Sequence, residues 1–392
     1  MLNVLRHKIL ITILLIGVFF NSNAQIILSE SAEVSLLTCS PGEELYALFG
    51  HSAMRVVDHE NDLDVVFNYG TFSFDEDFYY NFTMGQLNYM LSPNSMSGFM
   101  RAYQYENRGV IEQILDLSLE QKQAVFDFLV WNAEPENKYY LYDFFYDNCS
   151  SRLRDVLDSV LADGNIQFPD MQRSGKPTFR NMIDEYLVFH PWGDLGIDIG
   201  LGLPCDKVVG NADYVFLPNE LMRAYTGATL EGRPLVKQTR TLLESPEWKL
   251  KWSITDPIPL MWILCGVLLS LSALGYRRGS LWIGLDVFYL LITGAVGILV
   301  FFLWFISDHM GTVNNLNILW AWPTHWLALP FLAITRFRRY YWLFYGGILI
   351  LTLITFPVLP QMLHLAVLPL IIAGIFRAFV NWRLPLPTHT EA

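Results

Sequence analysis

The 392-residue chain has only four cysteines (Cys39, Cys149, Cys205 and Cys265) and eight histidines, and none falls in a CxxC or HExxH spacing. Neither a metal site nor a cofactor is therefore expected. There is no Gly-rich phosphate loop, no internal repeat and no low-complexity tract. Basic residues are scarce where they would matter most. Residues 25–256 hold 17 Lys and Arg against 35 Asp and Glu, a net charge of −18. A surface that acidic does not bind nucleic acid or anionic lipid by general electrostatics.

Apolar sequence is abundant, with 53% of residues hydrophobic, and it is unevenly distributed. Residues 1–24 read as a secretory signal peptide: Arg6 and Lys8, the run "ILITILLIGVFF", then Ser22 and Ala24 at small-residue positions. An uncleaved anchor is the alternative reading of this segment. No cysteine follows it, so the chain is not expected to be a lipoprotein itself. From Pro257 onwards come five apolar stretches, roughly 257–275, 281–305, 318–335, 341–358 and 361–378, each expected to span a bilayer as a helix. Arg277 and Arg278, then Arg336, Arg338 and Arg339, then Arg377 and Arg383 follow alternate spans, whereas 306–317 and 357–361 contain no Lys or Arg. The positive-inside rule makes the arginine loops cytoplasmic and puts residues 25–256 outside. The domain reading is a signal at 1–24, an exported domain at 25–250 and a membrane domain of five helices at 251–385.

The exported part reads as α+β. "ALFGHSAMRVVD" and "LDVVFNYGTF" flank "HENDL" and predict a β-hairpin, and "GVIEQILDLS" predicts another strand. Ser118 with Gln121 makes a capping box opening a helix. A second helix begins at Cys149 in "YYLYDFFYDNCSSRLRDVL". Its apolar stripe is Leu153, Val156/Leu157 and Val160/Leu161. Cys149 precedes that stripe, in the first turn, where free amides and the helix dipole favour a thiolate. Arg152 and Arg154 add positive charge, and Asn148 is a candidate oxyanion donor.

A cysteine nucleophile needs a base, and the exported part offers His51, His59 and His190. His51 opens the hairpin. Pairing Val57 with Leu63 sets it opposite Tyr69, and a slip of one residue sets it opposite Asn68; either side chain would orient the imidazole. The same residues fit a buried histidine and a small core cysteine. Cys39 and Cys205 are candidates for a disulfide, which the exported compartment permits.

The pattern "FGHSAMRV…FNYG…NRGVIEQ…DNCSSR" resembles the periplasmic domain of the Bacteroidota lipoprotein N-acyltransferases, a family formerly of unknown function. Permuted papain-like thiol enzymes, including the lecithin–retinol acyltransferase group, similarly carry a strand His before an Asn-Cys that opens a helix. The resemblance spans most of residues 30–210 and extends to "FFLWFISDHMGTVNNLNILWAWP" in the membrane half. It implies a permuted papain-like exported domain in the inner membrane's outer compartment, with Cys149 as nucleophile and His51 as base. It also implies a phospholipid acyl donor and a diacylated lipoprotein acceptor. Arg55 is a candidate for a phosphate and Arg152 for substrate binding, His309 with Asn314, Asn315 and Asn317 for a headgroup or the acceptor amine, and Tyr139, Tyr140, Tyr142, Phe144, Phe145 and Tyr146 for acyl contacts. A cell-wall peptidase or amidase, a phospholipase and a non-enzymatic sensor are the competing readings.

Overall fold

In the computed structural model, residues 26–384 are described apart from 74–75, 87, 162–165 and 248; the signal-peptide reading of 1–24 lies outside the described residues. The exported part is built on a seven-stranded antiparallel sheet: β1 (Glu33–Cys39), β2 (His51–Asp58), β3 (Leu63–Thr71), β4 (Asn88–Ser95), β5 (Val110–Leu115), β6 (Tyr139–Leu141) and β7 (Val236–Leu243). Their spatial order is β6-β4-β3-β2-β1-β5-β7, so the β2 strand that begins at His51 is central. The predicted β2–β3 hairpin forms through a 3-10 turn at His59–Asn61, with Asp62 in the left-handed region at φ 50°. Its register is one residue from expectation, Asp58 opposing Leu63 rather than Val57.

The helices of the exported part are α1 (Phe78–Met84), α2 (Met96–Tyr105), α3 (Leu119–Asn132), α4 (Cys149–Val160), α5 (Phe179–Leu187), α6 (Pro191–Gly200) and α7 (Pro218–Gly227). The Ser118/Gln121 capping box is present at the start of α3. Alternation along the strands divides the core. Leu36, Met54, Val56 and Phe67 pack with α3, α4 and α7, while Leu37, Ala53, Val66 and Val110 pack beneath Phe99 of α2.

Among the described residues, four helices are long and apolar enough to cross a membrane: α8 (Pro257–Arg277), α9 (Ile283–Phe305), α10 (Thr335–Thr355) and α11 (Leu368–Arg383). The expected span at 318–335 is instead broken into 3-10 turns and a single helical turn, His325–Ala328. Pro323 and Pro330 remove donors that a continuous helix needs. The broken backbone sinks into a groove on α9, where a Cβ on Gly297 would come within 2.5 Å of the Trp322 carbonyl carbon. Trp320, Ala321 and Ala328 are buried there. The Tyr345 hydroxyl donates to the Trp320 carbonyl, 2.6 Å, and the Trp326 indole to that of Leu291, 3.0 Å. Irregular backbone at membrane depth persists only when enclosed by protein in this way. Towards the other end of the helices, buried Asp286 of α9 pairs with Arg377 of α11, which also donates to Ser272 of α8.

The loop between α9 and the broken segment joins the two halves. Asn315 Nδ2 donates to the Ile199 and Gly200 carbonyls, 2.8 and 3.0 Å, and Asn317 Nδ2 to that of Asp198, 3.0 Å. These are the last carbonyls of α6, which lack intrahelical partners. The same loop caps α1: the Asp308 amide donates to the Met84 carbonyl, 2.7 Å, and His309 Nε2 to that of Phe82, 3.0 Å. Gly85, at φ +81°, permits the approach, since a Cβ there would lie 2.7 Å from the His309 nitrogen.

Asn315→Ala should therefore loosen the C-terminal turn of α6 before the rest of the fold. Each buried carbonyl left unpaired costs about 1–3 kcal/mol. Amide hydrogen exchange should speed up in residues 197–202 and stay unchanged in β2 and α4; uniform acceleration would contradict a local cap.

Candidate active site

Asn148 is the N-cap of α4. Its Oδ1 accepts from the Ser150 and Ser151 amides at 2.8 and 3.0 Å, and its Nδ2 donates to the Phe144 and Phe216 carbonyls, both at 2.7 Å. The Ser151 hydroxyl accepts from the Asn148 amide at 2.8 Å, closing a capping box. The side chain is 2% exposed with its amide fully used. Its expected role as an oxyanion donor is therefore corrected: Asn148 builds the helix start and has no donor left for substrate.

The cap sets Cys149 as the first residue of α4, against the start of β2. Ser52 and Ser150, both buried, pair hydroxyl to hydroxyl at 2.9 Å and fasten the two elements. The half-buried Cys149 thiol lies close enough to His51 and to the Ser52 amide for both to act on it electrostatically. Burial alone would raise the thiol pKa, but the charge and hydrogen bond of His51, with the Ser52 amide and Ser150 hydroxyl, bring it below the ordinary thiol value. The other exported cysteines behave oppositely. Burial pushes both Cys39 and Cys205 up to about 12. Both are free and buried, and Cys205 donates to the Gly311 carbonyl at 3.3 Å, so the expected disulfide is not formed.

The imidazole is oriented from β3. His51 Nε2 donates to Asn68 Oδ1 at 3.3 Å, leaving Nδ1 as the ring's acceptor. In the observed register Ala53, not His51, faces Asn68, so the contact is diagonal on one sheet face. Tyr69 lies on the opposite face and its hydroxyl donates to Asn132. It cannot orient His51, and its candidacy is withdrawn.

The candidate substrate-binding arginines are also occupied. Arg55 pairs with Asp64 at 2.7 Å and Glu112 at 2.8 Å. Arg152 pairs with Asp147 and lies over the Tyr140 ring, 4.0 Å from its centroid. Both are committed within the fold. His309 does border a cavity, although its Nε2 is taken by the Phe82 carbonyl.

That cavity, about 530 Å³, lies between the exported part and the membrane half. Phe49, Tyr142, Phe144 and Leu201 line one side and His309 and Met310 the other. The lining is mainly apolar, with Gln86, Asp143, Asp308, His309 and Thr312 as polar exceptions. Phe49 precedes His51 by two residues. Tyr142 and Cys149 both border Gly70: a Cβ there would lie 3.6 Å from both Cys149 Cβ and Tyr142 Cε2. Gly70, at φ +81°, thus leaves open the space where cysteine and cavity wall converge. Of the aromatic residues expected to make acyl contacts, Tyr142, Phe144 and Phe145 line the cavity, whereas Gly70 was not singled out by the sequence, although "FNYG" contains it.

Because the thiolate is the reactive form, iodoacetamide alkylation of Cys149 should show its pH inflection below the ordinary thiol range. In His51→Ala the lowering charge and hydrogen bond are gone, so the inflection should rise and the rate at neutral pH should fall by roughly tenfold or more. Mass-resolved labelling separates Cys149 from the buried thiols, and an unchanged profile would disprove the coupling.

Two family descriptions match the chain: the Lnb N-terminal periplasmic domain over residues 21–185 and the Lnb transmembrane domain over residues 249–386. Among curated proteins and solved structures, none matches it. With both of its characteristic domains present in order, a periplasmic domain followed by a multi-pass membrane domain, the chain belongs to the Lnb family.

Proposed function

We propose that this protein is a thiol-dependent acyltransferase of the cytoplasmic membrane, moving a fatty acyl chain from a phospholipid to the N-terminal amine of a diacylated lipoprotein. The observation that carries the reading is the closeness of Cys149 to His51, next to two residues, Phe49 and Tyr142, that line an apolar cavity shared with the loop after α9. A volume of about 530 Å³ falls within the usual range of small-molecule sites, about 300–1,000 Å³. An apolar wall suits an alkyl chain better than a peptide or glycan. The helix-opening cysteine opposite a strand histidine is also the arrangement of permuted papain-like enzymes, and we read the exported domain in that way.

The reaction proceeds in two halves. His51 takes the thiol proton as Cys149 Sγ attacks the carbonyl carbon of a phospholipid ester. Asn148 takes the Ser150 and Ser151 amides through Oδ1 and that of Arg152 through its carbonyl, at 3.0 Å. The Cys149 amide is the remaining first-turn donor, and we assign it to the oxyanion. The ester C–O bond breaks, the lysophospholipid alkoxide leaves with the proton from His51, and the acyl group stays as a thioester on Cys149. The lipoprotein α-amine then attacks the thioester carbonyl while His51 accepts an amine proton. The C–S bond breaks, an amide forms, and Sγ recovers its proton. Asn68 holds the ring through both halves.

Intact-protein mass spectrometry after incubation with phospholipid vesicles should show a fatty-acyl increment that hydroxylamine removes. Cys149→Ala should show none, and His51→Ala should form it at least roughly 10²-fold more slowly. A diacylated lipopeptide should then discharge the adduct and gain the same mass. Discharge to water alone would make the protein a phospholipase, and no adduct on a folded wild type at any time point would overturn the reading.

A further inference from the structure

We infer that α1 is an interfacial helix: it rests its aromatic face in the outer leaflet of the bilayer and forms the lip over which the phospholipid donor reaches the cavity. The inference rests on the acyltransfer reading for the identity of what crosses the lip, but not for the membrane contact itself.

The level of α1 is fixed by its hydrogen bonds. Its last carbonyls, Phe82 and Met84, accept from His309 and Asp308, and Gln86 donates to Asp308 Oδ2 at 3.1 Å. Asp308 lies three residues beyond Phe305, where membrane helix α9 ends. The C-terminus of α1 is therefore held at the height where the span leaves the bilayer. Phe305 and Ile306, the last apolar residues of that span, are themselves exposed.

The composition of α1 suits that height. Its sequence, FYYNFTM, contains no charged residue. Tyr79 and Tyr80 are 74% and 65% exposed, and Phe82 is also exposed. Leu141 and Met310, 69% and 70% exposed, extend the apolar surface and border the cavity, as does Gly85 immediately after the helix. Tyrosines combine an apolar ring with a polar tip and collect where acyl chains meet headgroups. An exposed aromatic surface running from the bilayer level to the rim of an apolar cavity fits a lipid better than a protein partner. A lipid can slide along it without leaving the membrane, and a chain crossing it meets no charge before Asp308.

The first test reads depth without turnover. Tyr80→Cys in a Cys149→Ser background carries a nitroxide in vesicles of phosphatidylethanolamine and phosphatidylcholine, with Glu120→Cys on the exposed α3 surface as reference. Electron paramagnetic resonance should show the Tyr80 label colliding more with oxygen than with a water-soluble nickel chelate, and the Glu120 label the reverse. A Tyr80 label that behaves like Glu120, or that is shielded from both reagents as a protein partner would shield it, overturns the inference. The second test reads transfer. Tyr79→Asp/Tyr80→Asp should slow acylation of Cys149 from vesicle phospholipid at least tenfold and leave acylation by soluble p-nitrophenyl butyrate unchanged. Equal rates on vesicles, or equal losses on both donors, would refute the lip. If no acyl adduct forms in any variant while the Tyr80 label still reports bilayer depth, the acyltransfer reading fails and the membrane contact stands.

Discussion

The first turn of α4 is the constraint on which the candidate site depends. Cys149 can face His51 only because Asn148, with both amide hydrogens and its oxygen engaged, fixes where the helix begins. Its two donor bonds reach back to Phe144 and across to Phe216, so the cap also ties the aromatic segment and the segment leading to α7 to one point. The Ser52–Ser150 bond then ties that point to the central strand. Buried polar groups of this kind are costly unless every member is satisfied, and when satisfied they specify one arrangement. The thiol gains its lowered pKa from where the helix start has been put, and Arg152 and Arg154, attractive in sequence, are drawn away into ion pairs.

The same economy governs the junction of the halves. A loop of asparagines and a histidine at a membrane surface suggests headgroup recognition, yet Asn315 and Asn317 are buried and spend their donors on the end of α6. Two exported helices, α1 and α6, finish on carbonyls that the membrane loop satisfies. Gly202 brings the chains into contact, its amide donating to the Gly311 carbonyl at 2.8 Å. The cavity between the halves exists because these caps hold its walls in register. In this structure the membrane domain therefore does more than anchor the exported part: it supplies one wall of the cavity.

Much of this was legible in the sequence where the signal is local. The Ser118 capping box, the hairpin through His59–Asn61, the strand at 110–115 and the abrupt change at Pro257 all follow from periodicity and turn chemistry within a few residues. Register was less accessible, because the turn left-handed at Asp62 displaces the pairing by one position, and one position moves a side chain to the other face. That is why Tyr69 looked as good as Asn68. The broken form of the 318–335 stretch was hidden for a related reason. Hydropathy measures transfer to an apolar surround, and a Pro-broken segment buried against the glycines of α9 satisfies it as well as a helix facing lipid. Gly70 carried no signal at all, since its significance is a meeting point between β3, the aromatic segment and α4 that exists only in three dimensions.

Charge makes the last demand on this arrangement. The exported part carries −18, so long-range electrostatics push it away from an anionic membrane rather than towards it. Apolar contact at short range must hold the cavity mouth against the bilayer, and it must come from a surface free of carboxylates. The 78–84 segment is uncharged although Asp75, Glu76 and Asp77 immediately precede it. Four membrane helices set the height, the capped loop transmits that height to the exported part, and an uncharged aromatic turn meets the leaflet. A catalytic domain on a single anchor and a flexible linker would have to find the leaflet anew in each cycle against that repulsion. Direct hydrogen bonds between the loop and two exported helices remove the search.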